Sequence, residues 1–304
     1  MNYSTRRQFI KTTTAAAAAI SITGLPFYIK PKPLLSFSTL GCPDWNFDKI
    51  LKFASDNNYD GLELRGILRE LDLPKCPEFN SPENIKATKE KIAANKLKIV
   101  DLGSSCALHH KEGTERQKNL DEGKRFIDLA QQLGCPNIRV FPNELPKDGT
   151  RQSVVDLIIQ GLQYLGDYAR NTDVSVLMES HGDAVKTDEL KQLMESVARP
   201  NVGLVWDVVN MWSVTKESPV NVYAQLKPYI RHTHIKDAKM VDDKPQYVLV
   251  GKGDTPILQA VDLLYKDGFK GYYSFEWKKL WHPDIADSEL ALTDYARVMK
   301  ARFK

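Results

Sequence analysis

Eight times between Leu34 and the C-terminus, a short apolar, β-branched run gives way to a longer stretch with helical spacing. The runs that predict strands are Leu34 to Leu40, Tyr59 to Arg65, Leu97 to Leu102, Asn137 to Phe141, Val174 to Glu179, Val202 to Asp207, Ile230 to Ile235 and Tyr272 to Glu276. The predicted helices between and after them begin with Phe47 to Asp56 and end with Asp287 to Arg302. Ser81-Pro82 reads as a cap and first-turn proline, Thr187 as a cap, and Gly134 as the stop of a helix from Thr114 to Leu133. Each helix returns the chain to the same end of the sheet, so the strands must be parallel. Eight such units predict a (β/α)8 TIM barrel, a single domain over 34–304. A doubly wound sheet is the competing arrangement, but the first turn, Gly41-Cys42-Pro43-Asp44, lacks the Gly-x-Gly-x-x-Gly of a dinucleotide fold.

In a barrel, chemistry sits where strands end. Strands five to eight finish on Glu179, Asp207, His234 and Glu276, which are neighbours around the ring. Three carboxylates and an imidazole form a mixed oxygen and nitrogen donor set suited to Mn, Mg, Co or Zn. Burying three acids together without a cation is costly, so one divalent ion is expected there. His232 shares the face of His234, two residues away, and is the competing donor.

Tyr59-Asp60-Gly61-Leu62-Glu63-Leu64-Arg65, Met178-Glu179-Ser180-His181, Trp206-Asp207-x-x-Asn210, His234-Ile235-Lys236-Asp237 and Tyr273-Ser274-Phe275-Glu276-Trp277 together resemble the xylose-isomerase-like barrel superfamily. More narrowly, they resemble its sugar phosphate isomerase/epimerase branch, which includes D-tagatose 3-epimerase and inosose-type enzymes. The resemblance covers the body from Leu34 onward. It implies Glu179, Asp207, His234 and Glu276 as metal ligands, the His-x-x-Asp pattern favouring His234 over His232. It also implies that Glu179 and Glu276 exchange the proton of an enediolate mechanism. Asn210 stands where many such epimerases have histidine.

The chemistry is coherent without the analogy. Isomerising a keto sugar removes a proton beside a carbonyl, a cation stabilises the enediolate, and two carboxylates can relay the proton. Lys236 is a further catalytic candidate that could neutralise substrate oxygen charge; a salt bridge to Asp237 is its other reading. His181, Asn210, Glu63, Arg139 and His109 are candidate substrate-binding residues, although ion pairing inside the barrel is the stronger reading for Glu63. Trp45, Trp212, Trp277 and Trp281 could supply platforms for a sugar's C–H face. Gly251 to Pro256 lacks the order of a phosphate loop and reads as a turn into a helix.

Residues 1–33 look like a twin-arginine export signal, with Arg6-Arg7-x-Phe-Ile-Lys ahead of the small-residue run Ala15 to Ala19. The segment is too short and too rich in Ala and Thr to span a membrane, and it lacks a lipobox cysteine, so a periplasmic protein without a stable membrane anchor is expected. Five basic residues and no acids lie there; the remainder balances 37 basic against 39 acidic residues, which argues against nucleic acid as a partner. Endonuclease IV, a DNA-repair member of the superfamily, needs more histidines than the six present. The four cysteines have no zinc-finger spacing; they read as buried thiols, with a Cys42–Cys106 disulfide as the alternative. The expected partner is a small carbohydrate, and a homodimer would be unsurprising in this family. The expected activity is a metal-dependent isomerase or epimerase. A lyase or hydratase acting on 3-keto-glycosides is the alternative, and a sugar-binding protein without catalysis is the third reading.

Overall fold

The structure, a computed structural model, describes residues 32–304; the Arg6-Arg7 motif lies outside them. Eight parallel strands form the ring: β1 (Leu34–Ser38), β2 (Gly61–Leu64), β3 (Lys98–Ala107), β4 (Asn137–Phe141), β5 (Ser175–Glu179), β6 (Val202–Asp207), β7 (Ile230–Ile235) and β10 (Tyr272–Phe275). The ring closes because β1 pairs with both β2 and β10, so the eight-unit barrel expected from the alternation is present. A hairpin of β8 (Asp237–Val241) and β9 (Lys244–Val248) is inserted between β7 and the next helix.

Nine helices among the described residues cover the ring: α1 (Phe47–Asp56), α2 (Pro82–Ala94), α3 (Thr114–Leu133), α4 (Arg151–Tyr168), α5 (Thr187–Val197), α6 (Val208–Thr215), α7 (Pro219–Leu226), α8 (Ile257–Asp267) and α9 (Ser288–Arg302). Their starts follow local chemistry. Ser81 accepts a hydrogen bond from the Asn84 amide ahead of Pro82, and Gly134 ends α3 in the left-handed region at φ 71°. Thr187 is not a cap: it is the first residue of α5, and its hydroxyl donates to Glu217.

Alternation decides which residues meet inside the ring. Leu35 and Phe37 of β1 join the apolar layer beneath the helices, with Phe37 edge-on to Tyr59 at 4.8 Å. Ser36, Glu63, Asp101, His232 and Ser274 are all buried, and the contacts among Glu63, His232 and Ser274 make part of the barrel's interior polar. β3 runs past the expected end at Leu102 to Ala107, with an irregularity in its pairing between Gly103 and Ala107.

Two elements were not anticipated. α6 starts directly on Asp207, whose side chain accepts from the Asn210 amide and so caps it. The hairpin turns at Asp242 and Asp243, both with positive φ (48° and 58°), the geometry of a tight two-residue loop. The carboxylate of Asp237 closes this insertion, accepting from the Gly251 amide at 2.8 Å, the Gly253 amide at 3.0 Å and Thr255 Oγ1 at 2.5 Å. A Cβ on Gly253 would lie 2.1 Å from Asp237 Oδ1, so only glycine fits there. Lys236 therefore makes no salt bridge to Asp237; its ammonium turns inward instead. All four cysteines are buried and free, so Cys42 and Cys106 are not joined. None of the helices among the described residues is long and apolar enough to cross a membrane.

Candidate metal and catalytic site

Glu179 and Asp207 are the last residues of β5 and β6, His234 is the penultimate residue of β7, and Glu276 directly follows β10. All four are buried, and one donor atom from each lies within 4.8 Å of every other. His234 Nδ1 is 3.5 Å from Glu179 Oε1, 3.7 Å from Asp207 Oδ2 and 3.7 Å from Glu276 Oε2. Neither His234 Nδ1 nor Glu179 Oε2 has a hydrogen-bond partner. Three carboxylates converging on an imidazole nitrogen suit a divalent cation, which Glu179, Asp207, Glu276 and Nδ1 of His234 would hold. The geometry also separates the two histidines. His232 Nε2 is spent on Glu63 Oε2 at 2.9 Å, away from the acid cluster.

Glu63 supports His234 from beneath. The same Oε2 lies 3.1 Å from His234 Nε2 and accepts from Ser274 Oγ at 3.1 Å. A carboxylate on Nε2 orients the ring and keeps that nitrogen protonated. Although burial opposes it, Glu63, Glu276 and Glu179 raise the His234 pKa well above its usual value, so a metal taking Nδ1 would displace a proton from it. Burial opposes ionisation of Glu63, but the charge on His234 and the hydrogen bond from His232 hold its pKa well below the ordinary range. Asp101 is the opposite case. Burial, followed by the charge of Glu63, pushes its pKa well up, and neither of its oxygens has a hydrogen-bond partner.

Cations within the protein already offset part of the acid cluster, which the cost argument from sequence had assigned to a metal alone. Lys236 donates to Asp207 Oδ2 and, at 2.5 Å, to Glu276 Oε2. Burial alone would discharge this lysine, but the Asp207 and Glu276 carboxylates outweigh it and raise its pKa well above the usual value. Lys278 reaches Glu276 at 3.2 Å. Although burial works against it, Glu276 is thereby held ionised, its pKa drawn down to about 2 by Lys236, Lys278 and His234. Lys278 was missed from sequence; its signal is position, two residues beyond Glu276.

The other expected residues fall into two groups. Asn210 and Arg139 touch the cluster. Asn210 Nδ2 donates to Glu179 Oε1 at 3.2 Å, and Arg139 Nε lies 3.2 Å from Glu179 Oε2. The Arg139 guanidinium sits 3.8 Å over the Phe141 ring, and His181 packs on that ring at 4.7 Å. Arg65 is close by: a Cβ on Gly103 would meet both arginines, at 2.8 Å and 2.9 Å. His109 stands apart, its ring tilted against that of His110 at 4.2 Å, and lines a separate cleft with Glu144 and Asp183. Among the tryptophans, Trp45 and Trp277 are core residues, Trp212 lies beneath the Lys216 ammonium, and only Trp281 is largely exposed, at 53%. Ser180, quoted with Glu179 but given no role, accepts from the Asp207 amide at 3.0 Å and ties two donor strands together.

Similar proteins carry this fold and several activities. The E. coli uncharacterized protein YihM is 24% identical over 211 residues, 68% of this chain, which spans only 59% of YihM's length. The 3-dehydroshikimate dehydratase of Bacillus anthracis is 23% identical over 65% of this chain and 68% of its own. The crystal structure of IOLI protein with a bound zinc atom superimposes with a TM-score of 0.72 at 16% identity, covering 89% of this chain and 98% of the other. Isomerases, epimerases and dehydratases all occur among the proteins similar to this one. A family model described as the xylose isomerase-like TIM barrel matches residues 51–301, and the chain belongs to that family.

Proposed function

We propose that this protein is a divalent-metal-dependent isomerase or epimerase of a sugar or keto sugar, acting through an enediolate in the periplasm. The observation that carries the reading is the convergence of Glu179 and Glu276 on His234 Nδ1, at 3.5 Å and 3.7 Å, from separate strands. A cation bound there would polarise a substrate carbonyl and stabilise the negative charge that develops on enolisation. The two glutamates take the proton from one carbon and return it to another. Both are held ionised, Glu276 by Lys236 and Glu179 chiefly by His234, with Arg139 adding to it. Carboxylates so stabilised are weak bases, so the substrate's proton must be acidified by its bound carbonyl. Lys236 is placed to take up charge on a substrate oxygen once a cation claims Asp207 and Glu276.

The dehydratases among the relatives support a second reading, elimination from a 3-keto-glycoside, in which Glu179 removes the proton and a β-leaving group departs. Asn210, an amide that cannot shuttle protons, favours this reading over one needing a third acid or base near Glu179. The periplasmic location rests on Arg6-Arg7-x-Phe-Ile-Lys, and cell fractionation of wild type against an Arg6→Lys, Arg7→Lys variant tests it.

Incubation of the Mn²⁺-loaded protein with keto sugars in D2O tests the chemistry. Deuterium should enter at the carbon beside the carbonyl, and Glu179→Gln and Glu276→Gln should each abolish entry while retaining part of the metal measured by elemental analysis. Full exchange in both variants would sink the assignment.

A further inference from the structure

A cavity of about 770 Å³ lies between the β8–β9 hairpin and the loop joining β10 to α9. Both segments spring from strand ends that deliver the site: the hairpin begins one residue after Lys236, and the loop one residue after Glu276. Tyr247, half-buried on β9, and His282, on the loop, meet edge to face at 5.0 Å on its wall. Trp281 adds the one indole among the described tryptophans that is more exposed than buried. The rim is polar and of mixed charge, with Gln246, Lys252 and Asp284.

The loop is built to hold these rings still. Lys279 Nζ donates to the carbonyls of Pro283 at 2.7 Å and Ile285 at 2.6 Å, and the buried Trp277 indole donates to Ala286 O at 2.9 Å. The amides of Trp281 and His282 both donate to Lys278 O, at 3.0 Å and 2.9 Å. The backbone that carries Trp281 is thus held in place, and aromatic rings on a fixed backbone beside a polar rim suit a ligand that is apolar on its faces and polar at its edges. A sugar ring has that character. The mixed rim gives no reason to select a strongly ionic ligand.

The donors of the acid cluster all lie within 4.8 Å of one another, a compact site with the dimensions of one sugar ring rather than two. The neighbouring cavity has the size of a separate small-ligand pocket. We infer that it is a subsite for the second ring of a glycoside, with the reacting ring over Glu179 and Glu276 and the second ring stacked on Trp281 and Tyr247. The inference rests on the proposed sugar chemistry and narrows its substrate class from monosaccharides to glycosides.

Calorimetric titration of the Mn²⁺-loaded full chain with D-glucose and with cellobiose tests it, beside Trp281→Ala and Tyr247→Ala variants. Cellobiose should bind roughly fivefold to tenfold more tightly than glucose, the size of a single stacking contact, and each variant should erase that margin while leaving glucose unchanged. Equal affinities, no binding of either sugar, or a margin that survives both substitutions would overturn the subsite. So would a dimer that dissociates on Trp281→Ala, which would assign the indole to a second copy of this chain. The two readings fail separately. Deuterium exchange without a cellobiose margin leaves the isomerase and removes the subsite, whereas a margin without exchange does the reverse.

Discussion

Strands β5, β6, β7 and β10 each deliver a donor of the acid cluster, whereas the arc from β1 to β4 delivers Arg139 and, just after β2, Arg65. The two arcs treat charge differently. On the first, Asp207 and Glu276 share the ammonium of Lys236, so the compensating cation comes from the same arc as the acids. On the second, the guanidinium groups are buried beside one another; Arg139 reaches across to Glu179, while Arg65 Nη1 has no hydrogen-bond partner. Burial, and then the charge of Arg139, draw the Arg65 pKa down to about 9. The difference teaches that the acid arc is partly compensated by its own lysine before any metal arrives. Under the proposed reading, a dication bound there would add positive charge that a developing enediolate could absorb.

The sharpest way to break this comparison is to remove the internal cation. Lys236→Met should destabilise the metal-free protein by about 3–5 kcal/mol, because it removes the ammonium from the buried Asp207 carboxylate and leaves Glu276 with Lys278 alone. Thermal unfolding with and without Mn²⁺ reads the effect: added metal should recover more stability in the variant than in wild type. An equal metal response in both would mean that lysine and cation do not share the site.

Smaller effects sharpen the role of the layer below. Glu63→Gln should weaken metal binding by about 10–100-fold, measured by competition with a chelator, because His234 loses the carboxylate that orients it. His232→Gln, which removes the histidine directed only at Glu63, should weaken binding less; a larger loss than Glu63→Gln would make His232 the true ligand. The smallest effect concerns Asp101. Its folded pKa lies above that of an unfolded aspartate, so its contribution is fully present below pH of about 3.9 and is lost as pH rises toward the folded value. Stability in Asp101→Asn should therefore decline less steeply, by about 1.4 kcal/mol per pH unit across that window, in urea titrations at successive pH values.

Much of this was legible because Glu179, Asp207 and Glu276 each follow an apolar run as an acid at its end, while His234 stands out by its place at the end of a β-branched strand. Val202 to Asp207 is such a run, and β6 has those bounds. What escaped depends on ring closure. Glu63 and His234 are 171 residues apart and meet because β2 and β7 face the same interior. The direction of Lys236 was open for a related reason: its neighbour Asp237 is an apparent partner in sequence, but that carboxylate is saturated by groups 14 to 18 residues downstream. α6 was hidden because its cap, Asp207, already reads as the end of a strand. The hairpin escaped because Asp242-Asp243 is a weaker turn signal than Asn-Gly.

The closure by Asp237 has an evolutionary consequence. One carboxylate staples the two ends of the 237–255 insertion, so the strand it leaves and the helix it enters are fixed whatever lies between. Sequence drift or changes in length inside the staple need not disturb β7 or the donors behind it. The insertion is thus a cassette on a fixed socket, open to change in its middle while the strand and helix at its two ends stay in place.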